Sequence, residues 1–178
     1  TGIVRRIDDL GRIVIPKEIR RRLRIREGDP LEMFIEDGGI YFRKYSPISF
    51  SKDLTDAQAW AISKALKMPV LITDKDRIIS VAGTNITDYL NCEIEDELRE
   101  YLFENGTRNF SIKTNKNRFF ITKGRAPLSL YVQPIFCEAE TETEIVGSII
   151  LFSEEHVSFT DDKYKLIEAT ALFLERIL

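Results

Sequence analysis

Apolar and polar positions alternate in two short stretches near the start of the chain. Residues 3–7 alternate between Ile, Arg and Ile on one face and Val and Arg on the other. In residues 12–15, two isoleucines face away from the arginine and the valine. Because successive strand side chains point to opposite faces, this period of two predicts two short strands. Residues 8–11 predict the turn that joins them.

A short helix is predicted to follow at Pro16. Proline suits the first helical position, where its missing N–H would have no partner. Ile19 and Leu23 lie four residues apart, on one face of a helix, which leaves the arginines outside. Gly28 is predicted to end this helix.

A hairpin is predicted next, because residues 31–35 alternate again and residues 40–44 form a second such run. Between them Asp37-Gly38-Gly39 supplies the positive φ angles of a tight turn. The order of elements over residues 1–45, which we call the head, is therefore strand, strand, short helix, strand, strand.

The charge of the chain is unevenly distributed. Residues 1–26 carry nine Lys or Arg against three Asp or Glu, although the whole chain has a net charge of -3. This asymmetry predicts an anionic partner for the head alone. About forty-five residues without a disulfide or metal bury only a marginal core. We therefore expect the head to be an obligate dimer.

Motifs in the head resemble the AbrB family of bacterial transition-state regulators. Residues 1–6 read Thr-Gly-Ile-Val-Arg-Arg, residues 10–16 read Leu-Gly-Arg-Ile-Val-Ile-Pro, and residues 19–21 read Ile-Arg-Arg. With Leu31-Glu32, the resemblance covers residues 1–44. It implies a dimer whose swapped hairpins form one β-barrel, with double-stranded DNA as its partner.

The resemblance also assigns site residues. The family's DNA-contacting arginines fall here on Arg5, Arg12, Arg20 and Arg21, with Arg6 and Lys17 as supporting charges. Arg22, Arg24 and Arg26 go beyond the motif, and their role as contacts or as solvated charges stays open. The plain alternative for the whole run is a charged helix face that keeps a small domain soluble.

Residues 46–52 predict a linker, because Pro47 and three serines interrupt the strand pattern. The expected domains are a DNA-binding head at 1–45 and a regulatory and oligomerisation domain at 53–178. Ile48 and Phe50 are apolar, so we expect the linker to pack in part.

Residues 51–66 show a helical pattern with two apolar sides. Leu54, Ala57, Ala61 and Ala65 form one stripe, and a second side carries Trp60, Ile62 and Leu66. A hairpin (70–73 and 77–82), helices within 84–103, and strands at 109–113, 118–122, 128–136 and 146–152 follow. The last strand is the most apolar and is expected to be central, after an exposed acidic loop at 138–144.

A closing helix is predicted from Asp161 to Leu178 with two apolar stripes. One stripe suffices to pack on a sheet, so the second predicts a helix bundle at a subunit interface. The first stripe comprises Tyr164, Ile167, Ala171, Leu174 and Leu178, and the second comprises Leu166, Thr170, Phe173 and Ile177.

This order of elements resembles a GAF domain, so the predicted fold class is α+β. The two resemblances together imply a swapped-hairpin barrel as the head, followed by a GAF-like antiparallel sheet flanked by helices. The combination resembles a family of regulators of spore-forming Firmicutes. The resemblance implies a homotetramer that activates and represses sporulation genes in the forespore.

The sequence shows no pattern of catalysis or of metal binding. His156 is the single histidine, and no nucleophile or orienting acid is placed beside it. Neither a phosphate-binding glycine loop nor a zinc-ligand spacing occurs, so we expect no enzyme, no cofactor and no metal. Cys92 and Cys137 are typical of reduced thiols. No stretch is long and apolar enough for a membrane span, and we expect a cytoplasmic, nucleoid-associated protein.

Two alternatives stay open. One is a toxin-neutralising antitoxin, since swapped-hairpin heads occur there too, although such proteins generally carry a disordered tail. The other is a sensor, with DNA binding secondary, in which the GAF-like part binds an unidentified small-molecule effector. Its pocket wall would come from residues 84–110 and from Phe119-Phe120.

Overall fold

The computed structural model describes residues 2–105, 112–114, 119–138 and 143–178. The chain divides into two compact units. One is the head, residues 1–45, and the other, residues 46–178, is called the body. Each mixes helices with antiparallel strands, so the fold class is α+β, as predicted. None of the helices in these ranges has the length and apolar content needed to span a lipid bilayer.

The head contains one helix and one hairpin: α1 (Lys17–Arg22), β1 (Leu31–Glu36) and β2 (Gly39–Lys44). The two strands are antiparallel, and Glu36 lies opposite Gly39. Asp37 has φ 48° and Gly38 has φ 74°. Both central residues of this two-residue turn therefore have the left-handed backbone that the right-handed twist of a hairpin favours. The predicted hairpin is confirmed.

The strands predicted at residues 3–7 and 12–15 are not strands in the single chain. A strand needs a partner that accepts and donates its ladder hydrogen bonds, and the described part of one chain offers these segments none. They are joined by a loop in which the Asp8 N–H donates to the Arg12 carbonyl at 3.1 Å. The Gly11 N–H donates to the Asp8 carbonyl, also at 3.1 Å.

The helix α1 ends earlier than Gly28, where the sequence placed its end. Arg24 has φ 52°, and the Ile25 N–H donates to the Arg20 carbonyl at 2.8 Å. This is the Schellman ending of a helix, in which a residue with left-handed backbone turns the chain back over the last turn. Arg24 takes the position that usually belongs to glycine. Pro16 precedes the helix and does not form its first residue.

The head has almost no core of its own. Among its described residues only Pro16 is buried. Apolar side chains are instead open to solvent: Val4 is 87% exposed, Ile35 81% and Val14 76%. Exposed apolar surface of this extent is typical of an interface.

The body is a five-stranded antiparallel sheet with helices on both faces. Its strands are β3 (Val70–Thr73), β4 (Ile78–Ala82), β5 (Ile112–Thr114), β6 (Ser129–Glu138) and β7 (Thr143–Ser153), in the order β4-β3-β7-β6-β5. Its helices are α2 (Lys52–Leu66), α3 (Asp96–Asn105) and α4 (Asp161–Ile177). The most apolar strand, β7, is central as predicted, because it is paired on both edges.

Two predicted features of the body differ from the structure or lie outside it. Of the strand expected at 118–122, the described residues 119–122 form no strand: Thr122 makes an isolated bridge to Arg125 across a turn at residues 123–124, and the Ile121 N–H donates to the Arg125 carbonyl at 2.9 Å. Residues 109–111 of another predicted strand, and 139–142 of the acidic loop, lie outside the described residues. The ends of that loop, Glu138 and Thr143, lie opposite each other in the β6–β7 ladder.

The helices α2 and α4 cover one face of the sheet, and α3 covers the other. The α2 side has a fully buried core that includes Ile48, Ala59, Ile149 and Leu174, with exposures of 0%. The α3 side packs Ile86, Tyr89, Leu98, Leu102 and Ile121 at exposures of 5% or less. The first four of these belong to the predicted pocket wall, so that part of the wall is filled with side chains.

The stripe of α2 that faces the sheet is not the alanine stripe. Thr55, Ala59 and Ile62 are buried, whereas Ala57, Ala61 and Ala65 are exposed. Trp60 is also exposed, at 61%. On α4 the stripe of Ile167, Ala171 and Leu174 is buried as predicted. Its second stripe leaves Phe173 and Ile177 exposed, with Leu172 beside them.

The segment between head and body is part of the body. Residues 47–51 form a turn of 3-10 helix, and Ile48 has an exposure of 0%. The Ser49 hydroxyl lies 3.4 Å from the Asp74 carboxylate, at the end of β3.

Candidate nucleic-acid interface

The helix α1 presents three of the six predicted site residues. Lys17, Arg20 and Arg21 are exposed, while Ile19 on the inner side is partly buried. An acid, Glu18, lies in the first turn and the arginines lie in the last. This arrangement complements the helix dipole and stabilises a helix of only six residues.

The loop of residues 8–12 fixes the fourth site residue, Arg12. Asp8 Oδ2 lies 2.8 Å from Arg12 Nε, and Asp8 Oδ1 accepts the N–H of Arg12 at 2.8 Å and of Leu10 at 3.1 Å. Gly11 has φ 77°, which glycine adopts without strain. The backbone N–H of Arg12, followed by its guanidinium, holds the pKa of Asp8 below its ordinary value.

The remaining two site residues, Arg5 and Arg6, lie in the segment without regular secondary structure ahead of the loop and are exposed. Within the described part of one chain, five of the six predicted residues take part in no ion pair: Arg5, Arg6, Lys17, Arg20 and Arg21. Only Arg12 has an acidic partner, Asp8. The cations of this surface are therefore available to an external anion.

Other basic residues of the head are engaged internally. Arg43 Nη2 lies 2.9 Å from Glu32 Oε2, and its guanidinium stacks 4.6 Å from the centre of the Phe34 ring. Lys44 Nζ lies 3.1 Å from Asp29 Oδ2. These contacts stabilise the hairpin. They involve Arg43 and Lys44 and none of the six predicted site residues.

Sequence reasoning did not place Asp8 in the site. The signal that identifies it is local: an aspartate opens a turn that closes on a glycine three residues later, with an arginine next in the chain. Aspartate side chains accept backbone N–H bonds in such turns. An Arg four positions after that aspartate is then within reach of its free oxygen, as the 2.8 Å contact shows.

Comparison with known proteins gives the chain's relationships. The family model described as "Stage V sporulation protein T C-terminal, transcription factor" matches residues 50–178. Stage V sporulation protein T of Bacillus subtilis is 40% identical over 179 aligned residues, which cover 99% of this chain and 96% of that protein. The chain belongs to the stage V sporulation protein T family. Proteins of this family are transcription factors.

The head has its own relatives. The transition state regulatory protein AbrB of Bacillus subtilis is 55% identical over 47 residues, which are 26% of this chain and 49% of that protein. The family model "Antidote-toxin recognition MazE, bacterial antitoxin" matches residues 4–49. The match to AbrB agrees with the predicted resemblance of residues 1–44.

The body resembles GAF domains in fold. The blue-light absorbing form of the Thermosynechococcus elongatus PixJ GAF domain superposes with a TM-score of 0.55 at 16% identity. That match covers 73% of this chain and 88% of the PixJ chain. At this identity the likeness concerns the fold alone, and the predicted GAF-like architecture is confirmed at that level.

Proposed function

We propose that this member of the stage V sporulation protein T family is a sequence-specific DNA-binding regulator that activates and represses sporulation genes in the forespore cytoplasm. The observation that carries the proposal is the set of exposed cations without an ion pair among the described residues, on a head that is 55% identical to AbrB over 47 residues. Cations that no internal acid neutralises can replace the counterions of DNA phosphates.

We infer that two heads pair before they bind DNA. The head alone leaves Val4, Val14 and Ile35 exposed, and Pro16 is the one buried residue in its described part. A second head that interleaved its hairpins would cover these side chains and supply the missing ladder to residues 3–7 and 12–15. Pairing would also duplicate the cations about a two-fold axis, which matches the symmetry of an operator half-site pair.

The site residues divide by role in this proposal. Arg6 and Lys17 neutralise phosphates and set the position of the head, whereas Arg5, Arg12, Arg20 and Arg21 reach base edges. The helix α1 has six residues, too few to lie along the major groove as a recognition helix does. We therefore expect part of the selectivity to come from the shape and deformability of the DNA.

The body would join two dimers into a tetramer. Trp60 and Ala61 on α2, and Phe173 and Ile177 on α4, are exposed on helices whose other sides already cover the sheet. Helices that are apolar on two sides are usually buried on two sides. Joining two heads on one scaffold would raise the effective concentration of the second head at paired sites.

Binding of a small-molecule effector would require a rearrangement of the body. The α3 side of the sheet, where the predicted pocket wall lies, has a packed apolar core. A ligand would have to displace buried side chains such as Leu98 and Leu102. Saturating ligand stabilises a protein that binds it, so a thermal-shift screen of nucleotides and amino acids tests this role.

The antitoxin alternative rests on the antitoxin model that matches residues 4–49. Against it, residues 46–178 form a folded unit of their own, whereas a toxin-binding tail is generally disordered until it binds. The 40% identity to a sporulation protein over 99% of the chain also favours the regulator.

Fluorescence anisotropy of labelled duplex DNA tests the main proposal. The full chain should bind with an affinity that falls steeply with salt, because each neutralised phosphate adds about one unit to the log–log slope. The variant Arg20→Ala/Arg21→Ala should lose binding. The matched control is Arg77→Ala/Arg125→Ala, which removes two charges from ion pairs of the body and should bind normally. Absence of any salt-sensitive binding by the full chain would refute the proposal.

A further inference from the structure

Asp8 makes three hydrogen bonds within one short loop. Its Oδ1 accepts the backbone N–H of Arg12 at 2.8 Å and of Leu10 at 3.1 Å. Its Oδ2 accepts Arg12 Nε at 2.8 Å. The Gly11 N–H closes the loop on the Asp8 carbonyl at 3.1 Å. The carboxylate is thus fixed by the backbone, and the guanidinium is bound to a fixed point.

The contact uses only one edge of the guanidinium. Asp8 binds the guanidinium through Nε, so the outer edge, where each of the two terminal nitrogens presents one N–H, lies beyond this contact. The Arg12 side chain is 70% exposed and that of Asp8 37%. A bidentate contact to guanine or phosphate can therefore form at the outer edge while the inner edge keeps its bond to Asp8.

Holding the side chain in place matters because a free arginine has many rotamers. Ordering one long side chain on binding lowers affinity by about two- to tenfold. A side chain that is ordered before DNA arrives avoids that loss. The carboxylate of an aspartate is ionised at neutral pH, and the Arg12 backbone N–H lowers the pKa of Asp8 further in the same direction.

We propose that Asp8 is a positioning residue of the DNA interface, which presents the outer edge of the Arg12 guanidinium to the duplex. The inference rests on the proposed DNA-binding function of the head and goes beyond the six cations. It assigns a favourable role to a negative charge that lies on the DNA-facing surface. Simple electrostatics predicts the opposite, since an acid near phosphates weakens binding.

The two views predict opposite changes in DNA affinity when Asp8 is neutralised, and the neighbouring Asp9 supplies the control. Anisotropy with an operator duplex is measured for the full-length wild type, Asp8→Asn, Asp9→Asn, Arg12→Ala and Asp8→Asn/Arg12→Ala. Asp9 is exposed and has no partner among the described residues, so Asp9→Asn should bind as tightly as the wild type or more tightly. Asp8→Asn should bind about two- to tenfold more weakly.

The double variant separates positioning from a structural role of the loop. If Asp8 acts through Arg12, Asp8→Asn has no further effect once Arg12 is alanine. If Asp8→Asn weakens binding by the same factor in both backgrounds, the carboxylate serves the loop and the positioning role is refuted.

The other outcomes also decide the matter. Equal affinities of Asp8→Asn and Asp9→Asn, with a wild type that binds, would overturn the inference and leave the DNA-binding function intact. A wild type without salt-sensitive binding would overturn both. Circular dichroism and thermal melts of each variant show whether the fold is retained.

Discussion

Gly147 of β7 lies directly against Thr73 of β3, and a Cβ added at Gly147 would stand 2.1 Å from the Thr73 carbonyl oxygen. No real Cβ atom approaches a backbone oxygen so closely. The next residue pair in the ladder, Thr73 and Ser148, is joined by a 2.8 Å hydrogen bond between their buried hydroxyls. The strands therefore cannot separate at this point without loss of that bond.

Gly147→Ala should accordingly destabilise the body by about 3 kcal/mol, near the upper end for overpacking a core. Denaturant unfolding followed by the fluorescence of Trp60, the single tryptophan, measures the change. Gly2→Ala is the control, because nothing lies within 4 Å of a Cβ at Gly2. A Gly147→Ala protein as stable as the control would contradict the close approach.

Arg99 of α3 ties that helix to the β3–β4 turn. Its side chain is 7% exposed, and its terminal nitrogens lie 3.2 Å from Asp76 Oδ1 and 2.5 Å from Asp96 Oδ1. Arg99→Ala removes the buried guanidinium that pairs with Asp76, whose side chain is 19% exposed, and loss of a buried ion-pair partner is destabilising. Arg99→Ala should therefore cost about 2–3 kcal/mol of unfolding free energy.

The matched control for Arg99 is Arg77→Ala. Arg77 pairs with Glu93 at 3.3 Å, with side-chain exposures of 57% and 46%. Pairs this exposed contribute about 1 kcal/mol or less. Urea unfolding should separate the two variants clearly, and equal losses would mean that burial at Arg99 has no energetic consequence.

Asp74 gives the body a pH dependence. Burial raises the pKa of Asp74, although the N–H groups of Asp76 and Arg77 donate to its carboxylate at 2.7 and 2.6 Å. A raised carboxyl pKa means that the folded state binds the proton more readily than the unfolded chain does. Ionisation as pH rises through the raised pKa therefore destabilises the fold.

Asp74→Asn keeps an acceptor for both N–H groups and removes the buried charge. At pH 7 the unfolding free energy of Asp74→Asn should equal or exceed that of the wild type. As pH falls through the raised pKa of Asp74, the unfolding free energy of the wild type should rise relative to that of Asp74→Asn. Asp74→Ala removes the acceptor and should lose about 1–2 kcal/mol. Thermal melts between pH 4 and pH 8 measure both trends. If the wild type instead loses stability relative to Asp74→Asn on acidification, the predicted direction of the pH dependence is wrong.

Trp60 tests the proposed tetramer. A glutamate in its place would bury a charge if α2 packs on another chain, and it would remain solvated otherwise. Trp60→Glu should reduce the mass seen by light scattering from tetramer to dimer, with the body still folded. Phe120→Glu is the control, since Phe120 is an exposed aromatic residue outside α2 and α4. Identical masses for Trp60→Glu and wild type would place the interface elsewhere.

Val14 tests the pairing of heads. It is 76% exposed in one chain, so in a head that acts alone Val14→Asp should have no effect beyond that of one added surface charge on DNA affinity. If a second head covers it, the buried charge should abolish head pairing and weaken DNA binding by tenfold or more. Anisotropy titration of the full-length variant measures the effect. Wild-type affinity would refute the paired head.

The hairpin β1–β2 could be predicted from the sequence. Its turn needs positive φ at Asp37 and Gly38, and Asp-Gly is a residue pair that favours such a turn. The centrality of β7 also followed from its apolar run. The end of α1 could not be predicted from the sequence, because Arg24 adopts a left-handed backbone that sequence rules assign to glycine. The strands predicted at residues 3–7 and 12–15 would need a hydrogen-bonded partner strand, which the described part of a single chain does not supply.

The buried face of α2 combines the apolar residues Ala59 and Ile62 with a polar one, Thr55. Thr55 faces the sheet because its hydroxyl lies 2.7 Å from that of Ser80, a buried pair that satisfies both groups. A search for apolar periodicity passes over threonine and selects the alanines, which are exposed. The Asp8–Arg12 contact was missed for a similar reason, since it joins polar groups across a loop without periodicity.

Ile48 has a consequence for how such proteins can be divided and recombined. Its side chain, just after the head, is enclosed in the core of the body. A graft that exchanged heads should therefore be joined ahead of Ser46, so that Ile48 stays with its own sheet. A junction placed after Ser51 would carry away a core residue and leave a void under β7. Residues 46–51 are therefore part of the body's own core structure. A head exchange is expected to give a folded protein when the junction lies before these residues, and not when it lies after them.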